Sequence, residues 1–89
     1  MPSTLQASEQ AASLLARERR QKERELYEAA TDVAMRILGQ AWRLEEEVID
    51  EVANKVAVDD YMASEAVGGL VLRGVAERNF DGKIRLRST

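Results

Sequence analysis

The chain has 89 residues, enough for one domain, and its net charge is −3. It contains no cysteine and no histidine, which excludes disulfides, the usual zinc sites and acyl transfer by a Ser–His or Cys–His pair. It also has no apolar run of the roughly 18 residues that a membrane span needs, and no secretory signal pattern at its start. We therefore expect a cytoplasmic protein that is not an enzyme, has no cofactor or metal, and binds neither a membrane nor a small molecule.

The charges are distributed unevenly along the chain. Residues 1–40 are balanced, residues 41–66 carry two basic and eight acidic side chains, and residues 67–89 carry five basic and two acidic ones. An acidic middle and a basic tail would orient encounters with a partner. The alternative is that the two regions pair with each other within the fold.

The first predicted element is a long helix. Residues 3–38 contain no glycine and no proline and are rich in strong helix formers. An unbroken helix of this length would measure about 50 Å, which exceeds the width of a small domain. Part of it must therefore project, fold back or lie on another molecule.

The apolar spacing divides this helix. Leu26, Ala30, Val33 and Ile37 follow a 4-3-4 spacing, which predicts that residues 26–38 pack against the rest of the fold. The same register continued backwards meets Glu23 and Arg19, and charges at these positions argue against a long coiled coil. We predict a projecting charged arm over residues 1–25, with Leu14 and Leu15 as a small apolar patch, and a small helical domain over residues 26–89.

Two shorter helices and a hairpin follow. Trp42, Val48 and Val52 lie at helical spacing in an acidic segment, and Asp59 can cap a third helix that contains Gly68 and Gly69. The two glycines leave open a break within that helix. Two short runs around Asp81-Gly82 then predict a β-hairpin. The predicted fold class is α+β and mainly α, with a long N-terminal helix, two shorter helices and a C-terminal β-hairpin.

The hairpin is basic, and this suggests one class of partner. Its candidate contacts to a nucleic-acid backbone are Arg78, Lys83, Arg85 and Arg87. Lys83, Arg85 and Arg87 alternate with apolar residues and share one face, which Arg78 could join across the turn. The order of helix 43–55, helix 59–73 and the hairpin resembles a winged helix-turn-helix domain, over residues 44–87 at most. This resemblance implies a dimeric DNA-binding transcriptional regulator, with the first helix as the dimer element and the hairpin as a wing.

The leading prediction is a different class of protein. We expect a small interaction factor, such as an adaptor, an inhibitor or an assembly protein of the kind that phages encode, which binds a larger protein or itself. Aromatic residues dominate the energetics of interfaces, so Trp42 and Tyr61 are either interface anchors or part of a core that is poor in aromatics. The predicted interface residues are Leu14, Leu15, Leu26, Tyr27, Val33 and Trp42.

Overall fold

The computed structural model describes the backbone from Thr4 to Ser88 and the side chains from Ala12 to Ser88. The first eleven side chains of the predicted arm thus lie outside the described residues. The elements in chain order are α1 (Thr4–Ile37), β1 (Arg43–Leu44), α2 (Glu45–Val56), α3 (Asp60–Leu72), β2 (Ala76–Arg78) and β3 (Lys83–Leu86). This order confirms the predicted fold class. None of these helices combines the length and the apolar character that crossing a membrane requires.

Helix α1 extends well beyond the elements that pack together. It has 34 residues, which corresponds to about 51 Å, in a molecule that measures 63 × 25 × 20 Å. Between residues 12 and 25 every side chain is exposed except that of Ala16, which is half-buried. We refer to residues 12–25 as the arm.

The predicted start of the packed face of α1 is wrong by a small margin. Leu26 is 36% exposed and does not pack against the core, whereas Tyr27 is half-buried against it and Ala30 is fully buried. The reason lies on α3, where Gly69 stands against the hydroxyl of Tyr27. The last turn of α3 therefore marks the level at which α1 leaves the domain, and the sequence spacing of α1 alone does not reveal it.

Helices α2 and α3 are joined by a short turn. Ala57 follows α2 in the left-handed conformation, with φ 57° and ψ 46°. The side chain of Asp59 then caps α3 by accepting a hydrogen bond from the backbone N–H of Met62 at 2.8 Å. Helix α3 continues through Gly68 and Gly69, so the alternative of a break at these glycines is wrong. The succession of α2, α3 and the hairpin is the one that the resemblance to a winged helix-turn-helix domain implies.

The hairpin belongs to a small antiparallel sheet with the strand order β1-β3-β2. Strand β1 has only two residues, too few for an alternating pattern, and the sequence analysis did not predict it. Its Arg43 stands opposite Ile84 of β3, and on the other side of β3 Ala76 stands opposite Leu86. Strand β1 therefore ties the start of α2 to the hairpin.

The core lies where the three helices meet one face of the sheet. Its largest fully buried side chains are Leu70, Ile84, Val48, Val52 and Val67. Small side chains let the helices approach closely, because Ala30 and Ala34 of α1 and Ala63 and Ala66 of α3 are all fully buried. The core therefore depends on close backbone packing and on few large residues, and it fixes the position of α3 beside the base of the arm.

Candidate interaction surface

The arm presents apolar side chains without any tertiary contact to shield them. Leu14 is 59% exposed and Leu15 is 56% exposed. They are separated from the domain by a charged stretch, residues 17–25, in which all side chains are exposed. Apolar residues held this far from the core have no partner within the described part of the chain, so they are available to a second molecule.

A shallow groove opens where the arm meets the domain. It lies between α1 and α3 and is lined by Tyr27, Glu65, Gly68, Gly69 and Leu72. The Tyr27 hydroxyl occupies the space that a Cβ on Gly69 would need, so glycine permits the two helices to approach at this level. Leu72 is 90% exposed at the edge of this groove. The combination of a glycine floor with an apolar edge suits the side of another helix.

The outward face of α3 continues this groove along the helix. Tyr61, Glu65, Gly68 and Leu72 follow a 4-3-4 spacing and form what we call the outer stripe of α3. Tyr61 is 73% exposed. Hydrogen bonding to the Glu65 carboxylate, and then its negative charge, raise the pKa of the Tyr61 phenol above the usual value. The outer stripe therefore offers aromatic and aliphatic groups around one carboxylate.

Two of the four predicted nucleic-acid contacts are engaged within the fold. The Arg85 guanidinium pairs with Glu77 at 2.6 Å and stacks over the Trp42 ring, 4.3 Å from its centroid. The Arg78 guanidinium pairs with Glu45 of α2 at 2.7 Å. The Arg85–Glu77 pair lies within the basic tail, whereas the Arg78–Glu45 pair joins the tail to the acidic segment 41–66. Part of the charge asymmetry of the sequence is therefore neutralised within the fold.

The predicted face of the hairpin needs one correction. Arg78 stands opposite Ile84, whereas Glu77 stands opposite Arg85. Directly opposite residues of an antiparallel pair share a face, so Arg78 lies on the side of Ile84 and does not join the face of Lys83, Arg85 and Arg87. The turn sets this register: Asn79 Oδ1 accepts hydrogen bonds from the backbone N–H groups of Asp81 and Lys83 at 2.9 and 3.0 Å.

The predicted interface residues fall into two groups. Leu14, Leu15 and Leu26 are exposed. Tyr27 and Val33 are half-buried and pack against the core, and Trp42 is half-buried beneath Arg85. The structure brings Tyr27 to the groove, and the interface role of all six residues stays a prediction.

Leu72 and Phe80 are the most exposed large apolar residues of the described part of the chain, and neither belongs to the predicted interface. Phe80 stands fully exposed at the tip of the hairpin. The signal for Leu72 is present in the sequence, since it shares the 4-3-4 spacing of Tyr61, Glu65 and Gly68 on the side of α3 opposite the buried residues. Phe80 lies in the turn between β2 and β3. No periodic pattern in the sequence could have indicated its exposure.

Neither a metal site nor a known relative indicates a function. Among the described residues, no three carboxylates are placed to hold a metal ion. No protein-family model, no curated protein and no solved structure matches the chain. The exposed surfaces of the arm and of α3 are therefore the features that bear on function.

Proposed function

We propose that this chain is a non-enzymatic protein–protein interaction factor of the cytoplasm, an adaptor, inhibitor or assembly protein that binds a larger partner or a second copy of itself. One observation supports the proposal most directly. Leu72, which is 90% exposed, stands at the edge of the glycine-floored groove between α1 and α3. A large apolar side chain in that setting gains buried area only when another molecule covers it.

The spacing of the outer stripe suits a helical partner. An amphipathic helix lays its apolar side into a groove through residues three and four positions apart. Gly68 adds no side chain to the floor of the groove, whereas the space above Gly69 is filled by the Tyr27 hydroxyl itself. Tyr61 lies about one turn of α3 beyond Glu65 and extends the contact in that direction. The partner would therefore be a protein segment with apolar residues at helical spacing.

The charges at the starts of α2 and α3 favour a protein over DNA. Helix α2 begins with three glutamates, Glu45–Glu47, and α3 begins at Asp60 directly after Asp59. In a helix-turn-helix protein the start of the second helix contacts base edges, and phosphates surround it. Carboxylates at this position repel phosphates, and the outer stripe of α3 has no Arg, Lys, Asn or Gln to read bases.

Affinity capture with one matched pair of variants tests the proposal. Leu72→Glu places a charge at the groove edge, and Phe80→Glu makes the same kind of change at the hairpin tip, away from the groove. The immobilised chain is exposed to host lysate, and its own oligomeric state is measured by light scattering after gel filtration. We expect a protein partner or a self-association that Leu72→Glu abolishes and Phe80→Glu preserves. A strictly monomeric chain that retains no protein would refute the proposal.

The second candidate function is DNA binding, and the element order favours it. The helix-turn-helix arrangement of α2 and α3 precedes a hairpin on which Lys83 and Arg87 form no ion pair among the described residues. These two side chains would contact phosphates as a wing.

A titration with random duplex DNA at several salt concentrations tests this candidate. The double variant Lys83→Ala with Arg87→Ala should lose about two phosphate contacts. The slope of log K for DNA binding against the logarithm of the salt concentration should therefore become shallower by about two. The matched control is Arg20→Ala with Arg24→Ala, which removes two cations from the arm and leaves the wing intact. Absence of binding at low salt, or equal loss in both double variants, would exclude the wing as a DNA contact.

A further inference from the structure

Three residues of the arm and the residue directly after it form a seam along α1. Ala16, Arg19, Glu23 and Leu26 are spaced 3-4-3 along α1, in register with the residues that pack the same helix into the core. Arg19, Glu23 and Leu26 are exposed and Ala16 is half-buried. Neither Arg19 nor Glu23 forms an ion pair among the described residues. The seam is thus a continuation of a packing face with nothing packed on it.

We propose that two copies of this chain pair through their arms as a short antiparallel coiled coil centred at the level of Gln21. In that register each residue meets the one equally far on the other side of Gln21. Arg19 therefore faces Glu23 of the second copy, and the two-fold axis repeats this pair. Ala16 likewise faces Leu26 of the second copy, so that a small side chain meets a large one.

The seam charges select the antiparallel arrangement over a parallel one. A parallel pair in register would bring Arg19 against Arg19 and Glu23 against Glu23, and like charges at core positions oppose association. Antiparallel pairing turns both contacts into opposite-charge pairs. The two charges that interrupt the apolar spacing of one chain therefore complement each other between two chains.

The same register places the arm of the second copy at the groove. Leu15 of the second copy comes level with Tyr27, where the groove between α1 and α3 opens beside the arm. The pairing also places the two domains at opposite ends of the coil. This inference rests on the proposed function and names its partner as a second copy of the chain.

Charge exchange at the seam tests the proposal. Sedimentation equilibrium over a range of concentrations gives the dimer dissociation constant. Arg19→Glu and Glu23→Arg should each weaken the dimer by about tenfold, because each places like charges on both sides of the axis. An equimolar mixture of the two variants should recover the dimer, since one seam is then acidic and the other basic. Arg17→Glu with Glu25→Arg, a charge exchange off the seam, serves as the matched control and should leave the dimer intact.

Cysteine pairing checks the direction of the helices independently, because the chain has no native cysteine. Under mild oxidation, Ala16→Cys mixed with Leu26→Cys should form a disulfide between the two variants, and neither variant should cross-link with itself. Self-cross-linking of Ala16→Cys would instead show a parallel pair and overturn the proposal.

The failures of the two proposals are distinguishable. A chain that stays monomeric at all concentrations, or a dimer that both seam variants leave unchanged, refutes the arm pairing. The proposed interaction function would survive either result if Leu72→Glu releases a host protein that Phe80→Glu retains. It fails only if the chain is monomeric and captures no protein through the groove.

Discussion

The arm and the domain are parts of one helix in two different physical situations. In the domain, α1 is held by burial, since Ala30 and Ala34 are fully buried between α2 and α3. In the arm, every side chain of residues 12–25 is exposed except that of Ala16, which is half-buried. The arm therefore depends on helix propensity alone, which makes a segment of this length marginally stable in water.

This difference separates what residues in the two regions contribute. A residue of the domain stabilises the cooperative fold, whereas a residue of the arm affects only local helix formation until a second molecule covers it. Ordering this extended helix costs conformational entropy that no packing within the described residues offsets. The arm therefore contributes little to the stability of the fold.

The largest expected effect is in the core. Ile84→Ala should lower the free energy of unfolding by about 3 kcal/mol, because Ile84 is fully buried and its truncation leaves a cavity. Leu15→Ala in the arm should change it by less than about 0.5 kcal/mol. Urea unfolding followed by circular dichroism measures both values at a low protein concentration. Equal destabilisation by the two substitutions would show that the arm belongs to the cooperative unit, and would contradict the distinction between the arm and the domain.

The two adjacent glycines of α3 test the packing at the point where the arm leaves the domain. Gly68→Ala should stabilise the fold by about 0.5–1 kcal/mol, because alanine favours helix and its methyl group would meet Arg78 Nη2 at an ordinary 3.6 Å. Gly69→Ala has the same propensity gain but collides with the Tyr27 hydroxyl, so we expect about 1 kcal/mol less stability than for Gly68→Ala. Thermal unfolding gives both differences.

Removal of the hydroxyl provides the control for this pair. In a Tyr27→Phe background the nearest ring atom would lie at an ordinary contact distance of 3.6 Å from the new methyl group. Gly69→Ala should then become as stabilising as Gly68→Ala. If the two glycine variants are equal already in the presence of Tyr27, then Tyr27 does not fix the level at which the arm leaves the domain.

The sequence predicted the features that repeat and missed those that depend on where elements end. The packed face of α1 and the cap at Asp59 follow from local spacing and side-chain chemistry, and the structure confirms both. Strand β1 has two residues and therefore no period. Leu26 has the spacing of a packed residue, but it lies beyond the level at which α3 ends and stays exposed.

The candidate surfaces were harder to predict for a related reason. The pair between Arg78 and Glu45 joins residues 33 positions apart, so no short-range pattern indicates that this arginine is engaged. Its face was assigned wrongly because the Asn79 turn, and not the alternation within β3, fixes the register. Leu72 belongs to a second stripe on the side of α3 opposite the buried residues, and α3 is apolar enough on both sides that its spacing alone does not tell which side is covered.

A glycine placed in the arm should have a smaller and purely local effect. Arg20→Gly lowers helix propensity by about 1 kcal/mol at an exposed position, so the helical circular dichroism signal should fall. The free energy of unfolding of the domain should stay within about 0.3 kcal/mol of the original value, because no side chain of residues 17–25 is buried. The matched substitution Arg36→Gly, in the last turn of α1, should destabilise the domain itself. A fall in domain stability with Arg20→Gly would mean that the arm and the domain unfold together.

The smallest expected effect concerns the end of the outer stripe farthest from the arm. The Glu65 carboxylate raises the pKa of Tyr61 because hydrogen bonding and negative charge both favour the neutral phenol. Glu65→Gln should therefore lower the pKa of Tyr61, as measured by absorbance titration in a Tyr27→Phe background that leaves one tyrosine. Glu18→Gln in the arm is the control and should leave that pKa unchanged. Because a partner on the outer stripe would cover the Tyr61 phenol and hinder its ionisation, dimerisation through the groove should raise this pKa further as the protein concentration rises. A pKa independent of concentration in a chain that dimerises would place the second copy along the arm alone and leave Tyr61 uncovered.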